Sequence, residues 1–289
     1  MDLIAAVFAL LAALFFGLTS HVQKIAVQGT EVVLGAFLSV GTMALTLWLL
    51  APFVIEFSWF QTRAAAIFAI CGIVFPALSQ RWQLISVQQV GPALTSAIGS
   101  FAPLFAVTLA VLFLGEHLNL QGALGIALML AGLLVSALGP GKGIARGFPL
   151  IALLLPLGAS LARGVVQPAT KFGFEEVNSA FFASLIMSTV ATFVLGLWMA
   201  LAAKRAPLRW TSKGNLVFFI NGLVVCSGIL SLQLAISFGA VSLAAPLAST
   251  TPLWTLLLGV LIFRNEHLTW RHLIMALLVC VGAALVVTR

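Results

Sequence analysis

Ser100-Phe101-Ala102-Pro103-Leu104 and Ser249-Thr250-Thr251-Pro252-Leu253 stand 149 residues apart, each inside a long apolar run. Working outward at the same offset, Leu109, Val111 and Leu112 match Leu258, Val260 and Leu261. One inserted residue later, Glu116-His117-Leu118 matches Glu266-His267-Leu268, and Leu128 and Gly132 then match Leu278 and Gly282. A looser pair, His21-Val22-Gln23-Lys24 and Gln167-Pro168-Ala169-Thr170-Lys171, gives two other apolar runs polar ends. Shared composition would not hold one offset across so many positions. A duplication does.

The composition says what kind of unit is duplicated. Hydrophobic residues make up 62% of the chain and charged residues 7%, against about 25% charged in a soluble domain. The apolar residues fall in blocks long enough to cross roughly 30 Å of hydrocarbon as helices. Only helices and closed barrels satisfy their own backbone there, and continuous runs exclude the short alternating strands of a barrel. Helices are expected at 3–26, 31–55, 64–85, 91–114, 119–139, 148–172, 177–202, 214–237, 241–263 and 270–288. Gly139-Pro140-Gly141-Lys142-Gly143 interrupts the middle with poor helix formers, which gives two five-helix units, 1–141 and 142–289. An odd-numbered unit repeated in tandem inserts its copies in opposite senses, the inverted repeat of many transporters. The expected fold is therefore an all-α integral membrane protein of ten transmembrane helices in two inverted-topology five-helix repeats. Met1-Asp2-Leu3-Ile4 lacks a basic n-region, so the first run reads as a permanent helix.

Several classes of function are disfavoured. The net charge of +7 comes from basic groups spread through loops and helix ends, so no nucleic-acid partner is expected. Cys71, Cys226 and Cys280 lie singly in apolar runs without metal-ligand spacing; neither metal nor cofactor is expected. Gly-x-Ser-x-Gly and His-Glu-x-x-His are both missing, which speaks against a membrane-embedded enzyme, and no charged ring suggests a channel. The expected partners are a small-molecule substrate and the lipid bilayer. A single chain of ten helices suffices to enclose a site, and a dimer is compatible with it.

The proline in the fourth helix of each half, the apolar run after it, the Gly115-Glu116 or Asn265-Glu266 step and the Gly-rich fifth helix resemble the EamA group of the drug/metabolite transporter superfamily. The resemblance covers the whole chain. It implies a carrier in a cell (inner) membrane, with amino acids, nucleotide sugars, sugar phosphates and other small metabolites among the family's substrates. Small four-helix relatives use a membrane-embedded glutamate in their first helix for proton coupling. Here the first helix carries only His21 and Lys24 as titratable groups between Asp2 and Glu31, so that mechanism does not carry over.

Polar side chains inside spans are costly and are functional candidates by default. Arg163 lies near the centre of the sixth expected helix, where arginine costs roughly 2.5–3.5 kcal/mol on insertion scales. Gln167 and Thr170 follow at i+4 and i+7 on the same face. Arg81, Trp82 and Gln83 form a second candidate cluster, with Gln233 at the corresponding place in the other half. Gln23 and Lys24 beside His21, and Thr250 and Thr251 before Pro252, complete the candidate substrate contacts. His21 is the coupling candidate. Pro103 and Pro252 are candidate hinges, and Glu116 and Glu266 have structural roles as helix-start charges or gating pairs. No carboxylate falls well inside a span while Arg81, Arg163 and Lys24 are available, so an amino acid or organic anion is favoured over a lipophilic cation. An exporter or exchanger working by alternating access is the leading expectation; a multidrug exporter is the alternative.

Loops joining helices 1–2, 3–4, 5–6, 7–8 and 9–10 carry Lys24, Arg81, Lys142, Arg146, Lys204, Arg205, Arg209, Lys213, Arg264 and Arg271, against Arg63, Lys171 and Arg289 on the other side. The positive-inside rule places both termini outside, whereas the family resemblance implies cytoplasmic termini. On the charge count, a C-terminal alkaline phosphatase fusion should be active and a fluorescent-protein fusion dark; the reverse pair of signals would invert the topology.

Overall fold

The computed structural model describes residues 2–26, 32–89, 95, 98–137, 150–203, 212–263 and 269–288. The side chains of Lys24 and Gln83, and Glu266 altogether, lie outside the described residues. The described residues form helices and connecting turns without strands. Among the described residues, seven helical segments are long and apolar enough to cross a membrane: Leu3–Gln23, Leu34–Val54, Ile151–Glu176, Ala180–Leu201, Lys213–Phe238, Val241–Leu261 and Trp270–Val287. Three shorter apolar helices, Arg63–Leu78, Ala102–Leu114 and Leu120–Val135, stand where further spans are expected.

Twelve α-helices are numbered here: α1 (Asp2–Ala26), α2 (Val32–Val54), α3 (Arg63–Gly72), α4 (Ser79–Gln89), α5 (Ala102–Leu114), α6 (Leu120–Ala137), α7 (Leu154–Glu176), α8 (Ala180–Ala203), α9 (Ser212–Phe238), α10 (Val241–Ala248), α11 (Thr251–Leu261) and α12 (Trp270–Val287). Two of the expected spans are broken in the middle. Between α3 and α4 the chain passes through a π-helical stretch, Ile73–Leu78, with Phe75 extended (φ −142°, ψ 126°) before Pro76. A proline disfavours helical geometry in the residue before it, which explains the kink. The ninth expected helix breaks at Ser249 and Thr250, and α11 restarts with Pro252 in its first turn, where the missing N–H costs nothing. Pro103 opens α5 in the same way. Both prolines thus initiate helices.

Turns at one end of the bundle are tight and capped. Gly115 ends α5 in the left-handed region (φ 64°), a conformation that glycine enters without the Cβ penalty. Asn119 accepts from Gly122 N at 2.8 Å at the start of α6. Thr62 accepts from Ala65 N at the start of α3, and Ser179 from Phe182 N at the start of α8.

Glycines set the helix crossings. α1 packs on α9, α10 and α11, and α7 on α3, α4 and α5; α2 meets α8 and α9, α3 meets α8, and α6 pairs with α12. A Cβ at Gly17 would stand 3.0 Å from Thr255 N and 3.1 Å from Trp254 Cβ; one at Gly164 would meet Ala106 N at 3.1 Å and Phe105 Cβ at 2.5 Å. A Cβ at Gly72 would meet the Met187 carbonyl at 2.5 Å, and one at Gly222 the Ser39 carbonyl at 2.6 Å. A Cβ at Gly132 would meet the Met275 carbonyl at 3.1 Å, and one at Gly282 the Gly125 carbonyl at 2.5 Å. In each of these three pairs, adding the repeat offset of 147–150 to one contact gives the other. Small residues let helix backbones approach where lipid offers no hydrophobic drive for association.

Gly282→Leu would force a side chain into the Gly125 backbone and should destabilise by about 1–3 kcal/mol or more. Gly99→Ala, with nothing within 4 Å of its added Cβ, should change stability by less than about 0.5 kcal/mol. Thermal unfolding of the two detergent-purified variants checks the contrast.

Candidate functional site: a polar face on the sixth span

Because 3.6 residues make a helical turn, Arg163, Gln167 and Lys171 share one face of α7. All three are half-buried. Arg163 Nε donates to the Ala159 carbonyl at 3.4 Å, one turn back on its own helix. Thr170 is buried, and its hydroxyl donates to the Gln167 backbone carbonyl at 2.8 Å. The Gln167 side-chain oxygen is buried without a hydrogen-bond partner. Pro168 removes the N–H that would have met the Gly164 carbonyl in a regular helix. The face thus combines a guanidinium, an unpaired amide acceptor and a weakened backbone ladder.

Lys171 lies at the far end of this face. Its ammonium donates to the Ile236 carbonyl at 2.7 Å and the Gly239 carbonyl at 2.8 Å, capping the end of α9. Glu116, from the α5–α6 turn, accepts from Val241 N at 2.7 Å and Ser242 N at 2.8 Å, capping the start of α10. The sequence reading sets Glu116 at the start of the helix that follows it, α6; in the structure its carboxylate meets the start of α10. Glu176 likewise accepts from Ala64 N at 2.8 Å at the start of α3.

The other expected contacts are distributed. Gln233 of α9 is buried; its amide nitrogen donates to Met187 Sδ at 3.1 Å, while its oxygen has no partner. Trp82 packs its ring on Gly158 of α7, 3.2 Å from the position of an added Cβ. Arg81 is exposed and stacks over Trp198 of α8 at 4.8 Å, so it turns towards a different helix from Trp82. Gln23 is half-buried. Thr250 and Thr251 spend their hydroxyls on the Leu247 and Ala248 carbonyls at 2.7 and 2.9 Å, and Ser249 bonds the Pro246 carbonyl at 2.6 Å. Gln83, Lys24 and Glu266 lie outside the described residues, the first two by their side chains.

His21 is buried, stacked on Phe263 at 4.4 Å, with Nε2 at 2.8 Å from the Thr255 carbonyl. A carbonyl only accepts, so Nε2 carries the hydrogen; Nδ1 is buried without a partner. Sequence reasoning missed the buried Thr19 hydroxyl and the Trp254 indole nitrogen, both without partners, and the Asn221–Ser39 bond of 2.9 Å between α9 and α2. Each sits in an apolar run where nothing local marks it. A groove of about 540 Å³ between α2 and α8, lined by Phe37, Trp48, Phe193 and Leu197 among others, contains none of the expected site residues.

A helical membrane protein with charged and amide groups set inside its spans has the makings of a solute carrier, and comparison with known proteins gives the same class. The chain belongs to the EamA-like transporter family, whose model matches residues 3–138 and again 150–288. Among its relatives is the uncharacterized transporter YvbV of Bacillus subtilis (strain 168), 27% identical over 211 residues, 72% of this chain and 67% of that protein. A crystal structure of a protein 18% identical to this one superposes with a TM-score of 0.82, over 97% of this chain and 95% of that chain; it shares the fold. The protein is thus a multi-pass membrane transporter.

His21→Phe keeps the ring stack but deletes the Nε2–H bond, and should lower stability by about 1 kcal/mol. Gln23→Ala should leave it unchanged. Equal thermal midpoints for His21→Phe and wild type would remove any anchoring role for the imidazole.

Proposed function

We propose that this transporter works by alternating access between two inverted five-helix halves, 1–141 and 142–289, and exports or exchanges a small amino acid or organic anion. The mechanism rests on the exchange of contacts between the halves. Gly17 against Trp254 and Thr255 repeats as Gly164 against Phe105 and Ala106; Gly72 against Met187 repeats as Gly222 against Ser39. Halves that swap their contacts in this way are built to rock about a pseudo-two-fold axis in the membrane plane, with the site between them.

The single observation that favours an anion is Arg163. It stands mid-helix in α7, and the carboxylates among the described residues, Asp2, Glu56, Glu116, Glu175 and Glu176, lie at helix ends or in connections. A cation in low dielectric seeks a carboxylate or phosphate, and an arginine binds either in bidentate fashion. Gln167, one turn away, offers an amide acceptor suited to an ammonium group of the same ligand. Arg81 and Trp82, Gln23, Gln233 and His21 are assigned to the cavity and its coupling on the same reading.

A thermal-stability screen in detergent against amino acids, organic anions, sugar phosphates and quaternary cations tests this, because a ligand of the native state raises the melting temperature by mass action. An amino acid or organic anion should stabilise the wild type, and Arg163→Ala should abolish the shift. Quaternary-cation hits that survive the mutation would make Arg163 structural and favour multidrug export.

A further inference from the structure

The turn Phe238–Val241 between α9 and α10 is held from two sides by charges from α7 and from the α5–α6 turn. Lys171 takes the last carbonyls of α9, and Glu116 takes the first N–H groups of α10. These groups are the ends of two helix dipoles, negative at the α9 carbonyls and positive at the α10 amides, so each charge meets its complement. Behind the turn, Gly239 presses on Ala5 of α1, and every residue from Val241 to Ala248 is buried. Four charge-assisted hydrogen bonds therefore pin α9 and α10 to α7 and to the α5–α6 turn at one end of the bundle.

We propose that Glu116 is the latch that closes this end of the transporter, that its two bonds to α10 break whenever the cavity opens there, and that Lys171 positions the turn on which the latch closes. The caps at Thr62, Asn119 and Ser179 are supplied from the adjacent turn. Glu116 reaches Val241 from 125 residues away, and Lys171 reaches Gly239 from 68. Glu116 lies in the first half of the duplication and Val241 and Ser242 in the second, so rocking of the halves must part these two bonds; Lys171 and its carbonyl partners lie together in the second half. The backbone groups released are helix ends, which water entering an open cavity satisfies; breakage is therefore affordable only when that end is wet. The proposal rests on alternating access but not on the identity of the substrate.

The test needs no substrate, so its failure is separable from failure of the anion reading. In full-length protein with Cys71→Ser, Cys226→Ser and Cys280→Ser, a single Ser242→Cys under the latch is reacted with a membrane-impermeant maleimide in nanodiscs. Labelling should be slow with the latch intact and about tenfold or more faster in Glu116→Gln or Lys171→Met, as expected for loss of charge-assisted bonds. Lys171→Arg should restore slow labelling. Parallel variants that keep Cys226, buried between α2, α8 and α9, as their one cysteine should label no faster, which separates opening from general loosening. If Glu116→Gln does not yield folded protein, Glu116→Asp, one methylene short of the α10 amides, decides in its place. Wild-type labelling rates in the folded latch variants, or equal acceleration at Cys226, would overturn the latch.

Discussion

Hydrocarbon provides no hydrogen-bond partner, so each polar group in a span must find one inside the protein. Much of this structure follows from that constraint. Serines and threonines within the helices turn their hydroxyls back on carbonyls three or four residues earlier, as Ser184, Thr192 and Thr170 do. Helix ends are harder, because each leaves several backbone groups without intrahelical partners. The chain meets the ends of α3, α9 and α10 with full charges, Glu176, Lys171 and Glu116. Charges that would be ordinary loop decoration in a soluble protein here tie distant helices together.

The same solvent removes the hydrophobic drive for helix association, so helices must gain from close van der Waals packing. Glycines provide it where backbones touch: Gly72 on Met187, Gly222 on Ser39, and Gly125 with Gly282. That these contacts recur at the repeat offset ties the duplication seen in the sequence to the packing of the fold. The match of one family model to residues 3–138 and 150–288 agrees with that spacing.

The membrane class and the helix positions were legible because hydrocarbon thickness dictates run length directly. Internal breaks were harder to read. Pro76 and the Ser249-Thr250 pair lie within continuous apolar stretches, where hydropathy registers no interruption, yet the backbone bends at both. Arg163 and Gln167 were legible as buried polar groups on one face because helical spacing is local. Lys171 was not: a lysine near a helix end ordinarily reaches water, and its partners at Ile236 and Gly239 lie 65 and 68 residues away. Glu116 was read as serving the next helix for the same reason. Sequence reasoning sees charges along a helix and misses those that act across helices.

Buried polar atoms without partners sharpen the picture of the interior. Leaving one unpaired costs about 1–3 kcal/mol, so a stable fold accumulates few of them without cause. Gln167 Oε1, Gln233 Oε1, Trp254 Nε1 and Thr19 Oγ1 belong to α7, α9, α11 and α1. Two of these residues adjoin the glycine crossings that repeat between the halves: Trp254 lies against Gly17, and Gln167 follows Gly164 by three residues. Polar atoms of both signs, indole donor and amide acceptors, are what a cavity needs to exchange water for a polar solute without net loss of hydrogen bonds. A purely structural core would have replaced them with leucine and alanine, as most of each span already does. Under the alternating access proposed above, these helices shift relative to one another, and such polar atoms fit a site remade in each conformation around the charge of Arg163.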